Sequence, residues 1–355
     1  MYGSSPTHEQ LKEYYGRILV GSKDLKANAC CCGEDAMPRQ IRTILQEIDE
    51  EIIERFFGCG SPIPPALTGC TVLDLGCGSG RDVYVASRLV GENGFVIGVD
   101  MTDEQLVIAR KHMTSQASRF GYAEGNVDFR QGYIEDLKQP GVADNSVDVV
   151  ISNCVINLSP NKQAVFSEIF RVLKPGGELY FSDIFSDRRI PRHLKNDPVL
   201  HGECLAGAMY VEDFRRLLHA LGYADFRVCA KTRVSIDNHG LEEKIGMVDF
   251  FSMTIRAFKL PDLEDLCEDY GQVAIYNGTL PNHPHWFDLD DHHRFVSGKP
   301  MLVCGNTASM LQHTRYAAYF TITGDRSVHY GAFSRAPASV KAHDGEGNCR
   351  GGACC

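Results

Sequence analysis

Fourteen cysteines in a 355-residue chain are the residues most able to do chemistry. Cys30, Cys31 and Cys32 are adjacent. Three consecutive thiols cannot all face a core, so at least one is expected in an exposed loop, available for ligation or disulfide exchange. Cys59 stands between Gly58 and Gly60, on backbone free to approach a ligand. Cys154 falls at the polar end of an apolar strand pattern, Ser152-Asn153-Cys154-Val155, and Cys204 sits among small residues in Gly202-Glu203-Cys204-Leu205-Ala206-Gly207. A secreted chain would use so many cysteines as a disulfide framework, whereas in a cytosolic enzyme they point to metal binding or redox chemistry. Other cysteines read as small buried hydrophobes. Cys229 and Cys304 lie inside apolar runs, Cys77 belongs to a glycine turn, and Cys70 and Cys267 carry no signal.

The second chemical stretch is Val72-Leu73-Asp74-Leu75-Gly76-Cys77-Gly78-Ser79-Gly80-Arg81-Asp82. An apolar run, a glycine turn and a helical pattern open a nucleotide-binding α/β sheet. A dinucleotide fingerprint would need glycine at position 81, which is Arg81. The spacing instead resembles the D-x-G-x-G-x-G loop of class I S-adenosylmethionine (SAM) methyltransferases. Phe95 to Val99 reads as the next strand and ends at Asp100, 20 residues past Gly80. An acid so placed accepts hydrogen bonds from ribose hydroxyls. It could instead cap a helix from Thr102, but the strand end favours ribose. The resemblance implies cofactor contacts from Asp74, Gly76, Gly78, Gly80, Arg81, Asp100, Met101 and Asn153. It also implies Ile134 on the adenine face and Glu135 near the adenine amino group.

Around these residues the pattern predicts strands at 126–131, 147–151 and 178–183, the last entered by a turn at Lys174-Pro175-Gly176-Gly177. Helices at 102–119 and 160–173 alternate with them, which implies a doubly wound, largely parallel sheet of the class I methyltransferase, Rossmann-like α/β class. Residues 1–65 form an N-terminal helical and cysteine-bearing segment, with helical patterns at 8–20 and 38–56. The methyltransferase domain spans 66–258, with a basic, proline-punctuated insertion at 184–210, a helix at 211–221, and strands near 225–234 and 247–258 that complete the sheet. A small α+β domain at 259–330 follows, with a strand at 272–279 and a helix at 307–320. The tail, 331–355, lacks periodicity, is expected to be flexible, and carries Cys349, Cys354 and Cys355. His283, His285, His292 and His293 near Asp288, Asp290 and Asp291 suggest either a metal site or, as the favoured reading, a polar solvated loop.

Composition narrows the partners. At 43% hydrophobic and 23% charged the chain is an ordinary globular protein. A net charge of −10 argues against nucleic acid. No 18-residue apolar run marks a membrane span, and Met1 to Gln10 lacks an apolar signal core, so a cytoplasmic location is expected. The chain is also expected to be a monomer.

The cysteine words and their neighbours resemble the arsenite methyltransferases from about Tyr14 to Phe258, and more weakly to about residue 320. The carrying words are Tyr-Tyr-Gly, Phe-Gly-Cys-Gly, Ser-Asn-Cys-Val-Ile-Asn-Leu, Gly-Glu-Leu-Tyr-Phe-Ser-Asp and Gly-Glu-Cys-Leu. This resemblance implies that Cys30, Cys59, Cys154 and Cys204 bind trivalent arsenic and cycle through disulfides. It implies SAM as methyl donor, arsenite and methylarsenite (as thiol conjugates) as substrates, an external reductant such as glutathione or thioredoxin, and a role in arsenic detoxification. The chain departs from the family at Cys31 and Cys32, where a single cysteine is usual, and at Phe57, where some relatives carry tyrosine. Soft arsenic suits thiolates, and its lone pair needs no general base, which agrees with the lack of a His/Asp base motif. The strand-end word Asn153-Cys154-Val155-Ile156 is not the Asn/Asp-Pro-Pro-aromatic motif of many amino methyltransferases. Tyr14, Tyr15 and Phe57 could cradle a sulfonium by cation–π contact or simply pack. Two other readings stay open: a thiol sensor or sequestering protein on a methyltransferase scaffold, and a methyltransferase for small organic oxygen or carbon acceptors, with incidental cysteines.

Overall fold

The structure is a computed structural model that describes residues 8–14, 37–56, 58, 61–195, 200, 205–235 and 239–333. Cys30, Cys59 and Cys204 lie outside the described residues, as do Cys31, Cys32, Tyr15, Phe57 and the three tail cysteines.

Strand β1 (Thr71–Leu75) is buried from Val72 to Leu75, as a central strand covered on both faces must be. It pairs in parallel with β2 (Phe95–Asp100) and with β4 (Val147–Asn153). Outside these lie β3 (Val127–Gln131) and β5 (Leu173–Ser186), also parallel, in the order β3-β2-β1-β4-β5. The short β6 (Met209–Tyr210) pairs with the end of β5. Strands β7 (Arg227–Arg233) and β8 (Phe250–Phe258) complete the sheet antiparallel to their neighbours. Lys174 to Gly177 is a wide bulge rather than a separate turn: Val147 opposes Leu173 while Val149 opposes Glu178, so four residues loop out against one.

Helices cover both faces. Helix α4 (Arg81–Val90) follows the glycine loop. The expected helix at 102–119 is two, α5 (Asp103–Lys111) and α6 (Met113–Phe120), broken at His112, whose Nε2 bonds Glu51 at 2.7 Å. On the other face are α7 (Lys162–Val172) and α9 (Val211–Ala220), packed through Phe166, Phe170 and Phe214. Two further short helices are α8 (Arg192–Lys195) and α10 (His239–Ile245).

The N-terminal segment is not independent of the sheet. Helix α1 (His8–Glu13) reaches the sheet's carboxyl edge. The helical pattern at 38–56 splits into α2 (Arg39–Leu45) and α3 (Glu50–Glu54), with the Asp49 carboxylate capping α3 at Glu51 N–H. Ile41, Ile44, Ile48 and Ile52 join Val83 and Val90 in one core.

Beyond Phe258, β10 (Gln272–Tyr276) pairs antiparallel with β13 (Pro300–Val303) and β14 (Phe320–Thr323). Strands β11 (Trp286–Asp288) and β12 (Arg294–Val296) form a hairpin, and β9 (Glu268–Asp269) pairs with β15 (Gly331–Ala332). The expected helix at 307–320 is α11 (Gly305–Gln312) followed by a 3-10 turn, Arg315–Tyr319, capped by Thr314. This unit is tied to the sheet by buried charge. Glu178 on β5 accepts from Arg256 Nε at 2.5 Å and from Tyr316 Oη at 3.1 Å, and it pairs with Arg315.

The histidine-rich stretch differs from a solvated loop at its centre. His285, Asp288, Asp291 and His292 are exposed, but Asp290 and His293 are buried. Asp290 takes His293 Nδ1 at 2.8 Å and Arg227 Nη1 at 3.3 Å. Burial opposes its ionisation, yet the His293 bond and the nearby His293 and Arg227 charges hold its carboxyl below the usual carboxylate range. No described helix is long and apolar enough to cross a membrane.

Candidate active site

A cleft opens at the carboxyl ends of β1, β2 and β4, where open α/β sheets bind ligands. It holds about 980 Å³ of open space, its mouth included. The glycine loop forms its floor. Gly76 and Cys77 N–H groups donate to Val99 O at 2.8 and 3.1 Å, drawing the loop over the end of β2. Ser79 Oγ donates to Ile52 O at 2.9 Å, so α3 clamps the loop from behind. Gly78 has φ +53° and nothing within 4 Å of where a Cβ would stand. That open backbone is the close approach a ligand needs.

Asp100 ties the glycine loop to the turn that leads into α5. One oxygen accepts Gly78 N–H at 2.9 Å and the other Thr102 N–H at 2.7 Å, and the carboxylate also lines the cleft. Burial raises its pKa, with those amides working in the opposite direction. Asp74 also lines the cleft, at 3% exposure. Burial first, then the charges of Asp82 and Asp100, push its carboxyl well above the usual range.

Of the other expected cofactor residues, Gly76, Met101, Ile134, Glu135 and Asn153 line the cleft. Glu135 Oε1 accepts from Ser159 Oγ and lies 3.2 Å from His8 Nε2. Asn153 Nδ2 donates to Asp82 at 2.9 Å. Gly80 and Arg81 are not on the cleft wall. Gly80 caps α4 with φ +92°, and Arg81 bonds Asp82 at 2.8 Å with its guanidinium 3.2 Å from the Phe56 ring centre.

Cys154 lines the cleft next to Asn153, 5% exposed, with φ +57°. A non-glycine residue held there stores about 1–3 kcal/mol of strain, a feature concentrated at functional positions. Its N–H donates to Ser182 O at 2.8 Å, which fixes the turn. Neighbours of Cys59 and Cys204 lie close by. A Cβ on Gly58 would lie 2.7 Å from Asn153 Cγ, so the residue before Cys59 is pressed against the cleft wall. Leu205, the residue after Cys204, shares a buried apolar cluster with Cys154. Cys77 also lines the cleft, but burial and then the Asp100 and Asp74 charges push its thiol well up, so it stays protonated and is a poor soft ligand. The remaining described cysteines outside the cleft, Cys70, Cys229, Cys267 and Cys304, are buried or half-buried.

Sequence reasoning missed the cleft's roof. His8 and Leu11 of α1 cover it; Lys12 Nζ donates to Tyr133 Oη at 2.9 Å, and the His8 and Tyr133 rings lie 4.7 Å apart. The four-residue spacing of His8 and Lys12 puts both on one helix face, the only signal available. Tyr14 is half-buried and does not line the cleft; among the described tyrosines and phenylalanines, Phe56 and Tyr133 do. Asp183 is raised to about 7 by burial, and its oxygens accept Ile184 and Asn157 N–H groups.

The cleft fits SAM. Its acids oppose a molecule that carries an ammonium and a sulfonium, Gly78 leaves backbone open, and Met101 and Ile134 offer apolar walls. Parallel strands with an antiparallel end pair, a glycine loop after β1 and an acid ending β2 define a class I SAM-dependent methyltransferase. A family model described as "Methyltransferase domain" matches residues 67–222, and one described as "Arsenite methyltransferase C-terminal domain" matches 270–345. The chain is 51% identical to an arsenite methyltransferase of Aquipseudomonas alcaligenes, over 92% of this chain and 93% of that one. It is 40% identical to the Homo sapiens arsenite methyltransferase, over 88% of this chain and 83% of that one. The crystal structure of an arsenic(III) SAM methyltransferase from Chlamydomonas reinhardtii superposes with a TM-score of 0.82 at 53% identity, covering 84% of this chain and all of that one. The chain belongs to the arsenite methyltransferase family.

Proposed function

We propose that the protein methylates thiol-bound trivalent arsenic, from arsenite to mono- and dimethylated products, with Cys30, Cys59, Cys154 and Cys204 as its arsenic-handling residues. The observation that carries this is the strained Cys154 on the cleft wall, with Gly58 against the adjacent Asn153 and Leu205 in the apolar cluster that Cys154 joins. Bound over the glycine loop, SAM supplies an electrophilic methyl carbon. Asp100 and Asp74 orient it over the open backbone at Gly78, with Ile134 and Glu135 toward the adenine. Three thiolates hold arsenic as a pyramid with its lone pair facing that carbon. The As–C bond forms as the C–S bond breaks, and its electron pair returns to sulfur. Fixing both reactants at near-attack distance contributes about 7–11 kcal/mol.

Arsenic is then formally oxidised by two electrons. The fourth thiolate attacks one ligating sulfur; an S–S bond forms, and the broken As–S bond leaves its pair on arsenic. In this reading Cys154 and Cys204 retain the methylated arsenical while Cys30 and Cys59 form the disulfide. An external thiol, glutathione or thioredoxin, restores the pair, and the overall role is detoxification.

The direct test incubates the protein with SAM, arsenite and a thiol reductant and separates arsenic species by chromatography with mass detection. Methylated arsenic supports the reading, whereas tight arsenite binding without product, under conditions where SAM binds, replaces it with sequestration. Cys30→Ser and Cys59→Ser are expected to lose arsenite turnover while keeping much of the methylarsenite turnover, since that substrate needs one thiolate fewer. Equal losses on both substrates reject the division of labour. Asp100→Asn is expected to weaken SAM binding about 10–100-fold, because one of two backbone donors then faces an NH₂ group and a charge-assisted bond of about 1.5–3 kcal/mol is lost. Calorimetric titration with SAM reads this directly, and unchanged affinity would free Asp100 of the role.

A further inference from the structure

We propose that His8 is a positioning residue for the cofactor: its imidazole N–H holds the Glu135 carboxylate in the orientation that accepts the amino group of adenine, so a helix outside the sheet sets the base specificity of the cleft. This rests on the adenine placement proposed above.

Glu135 would be a poor base reader on its own. A glutamate side chain turns about several bonds, and each must be fixed before the carboxylate can meet one amino group. Here two donors from separate segments fix it. His8 Nε2 lies 3.2 Å from Glu135 Oε1, and Ser159 Oγ donates to the same oxygen. A carboxylate only accepts, so Nε2 is the ring nitrogen that carries the proton in this contact. Both bonds fall on Oε1, and among the described residues Oε2 accepts none. The Glu135 side chain is 15% exposed and lines the cleft, so its second oxygen is left for a ligand.

His8 is itself held in place. Lys12, four residues on, shares its face of α1. Lys12 Nζ donates to Tyr133 Oη at 2.9 Å and stands 4.9 Å from that ring's centre. The His8 ring meets the same tyrosine, tilted by 43°. Leu11 is buried beneath the helix. Tyr133 and Glu135 belong to one loop, whose Gly132 N–H donates to Asp100 O at 2.9 Å. Ser159 follows the 3-10 turn Ile156–Leu158 that comes after Cys154. Glu135 therefore joins α1, the loop that leaves Asp100 and the turn beyond Cys154. The His8 side chain is 34% exposed, and an exposed pair of this kind adds little stability. Its value lies in direction: a donor that fixes one oxygen aims the other. Reading the amino group in this way is a strong filter, because hypoxanthine puts a carbonyl oxygen there and sets acceptor against acceptor.

The test titrates the full chain by calorimetry with S-adenosylhomocysteine and S-inosylhomocysteine, which differ at that position of the base. The parent protein is expected to prefer the adenosyl compound by at least about 30-fold. His8→Ala is expected to weaken the adenosyl compound about tenfold and the inosyl compound by less than about twofold, so the preference shrinks. His8→Gln keeps an N–H at similar reach and is expected to bring adenosyl affinity back to within about threefold of the parent. Equal losses on both ligands, the result for a helix that merely packs, overturn the proposal. So does an unchanged preference in His8→Ala, or a His8→Gln protein as weak as His8→Ala. A parent protein without any preference removes Glu135 from the adenine, and the proposal with it. A preference that Glu135→Ala abolishes and His8→Ala leaves intact keeps the adenine placement and rejects the role of His8 alone.

Discussion

Cys154→Ser is expected to abolish methylation of both arsenite and methylarsenite, by at least about 10³-fold, while SAM still binds. Serine is close in size and tolerates the same backbone, but its hydroxyl is a hard, protonated donor where trivalent arsenic prefers a soft thiolate. In the proposed cycle Cys154 holds arsenic in every methylation round, so no substrate escapes its loss. Forfeiting about 4 kcal/mol of positioning is already a 10³-fold rate effect, well inside what proximity supplies. Place also matters: Cys154 stands between Asn153, which bonds Asp82 behind the glycine loop, and Val155, which touches the loop itself. Arsenic-product chromatography measures the loss, and SAM calorimetry on the same sample shows that the cofactor cleft survives. Turnover within about tenfold of the parent protein on either substrate would remove Cys154 from the arsenic site.

What could be read in the sequence was whatever leaves a local mark. Gly76 and Gly78 sit at φ +71° and +53°, so the loop's geometry demands glycine and the letters record it. The acid ending β2 is similarly legible, because a strand pattern stops at Asp100. Long-range pairing leaves no such mark. Asp290 reads as one acid in a polar loop, and its burial depends on Arg227, 63 residues away. The antiparallel run of β7 and β8 depends on connections that an apolar period does not encode. The six-residue α1 over the cleft carries no motif, and His8 acquires meaning only beside Tyr133 and Glu135. Cys154 was legible as a strand-end cysteine, whereas its left-handed backbone was not, since nothing about cysteine predicts it.

Gly76→Ala is expected to damage both halves of the chemistry at once, and Val155→Ala to restore part of it. A Cβ at Gly76 would stand 2.4 Å from Val155 Cγ2, 2.5 Å from Cγ1 and 2.8 Å from Cβ. The left-handed backbone adds about 1–2 kcal/mol for alanine, and forced overpacking of a tight contact adds about 1–3 kcal/mol. Relief by moving Val155 would displace Cys154 beside it, and relief by moving the loop would displace the SAM floor. SAM affinity is therefore expected to fall about 30–1000-fold in Gly76→Ala if most of that energy is spent in the bound conformation. Trimming Val155 removes the two Cγ contacts but leaves the 2.8 Å approach to its Cβ and the backbone term, so the double variant should recover only part of the overpacking share, a coupling of about 1–2 kcal/mol. Four proteins, each titrated with SAM and unfolded in denaturant, close the cycle. Additivity within about 0.5 kcal/mol would mean that the contact does not set the loop's position. A clear coupling would mean that the glycine loop and the strand end bearing Cys154 are registered against each other through one glycine and one valine, which in the proposed cycle fixes the distance between thiol-held arsenic and the methyl donor above the loop.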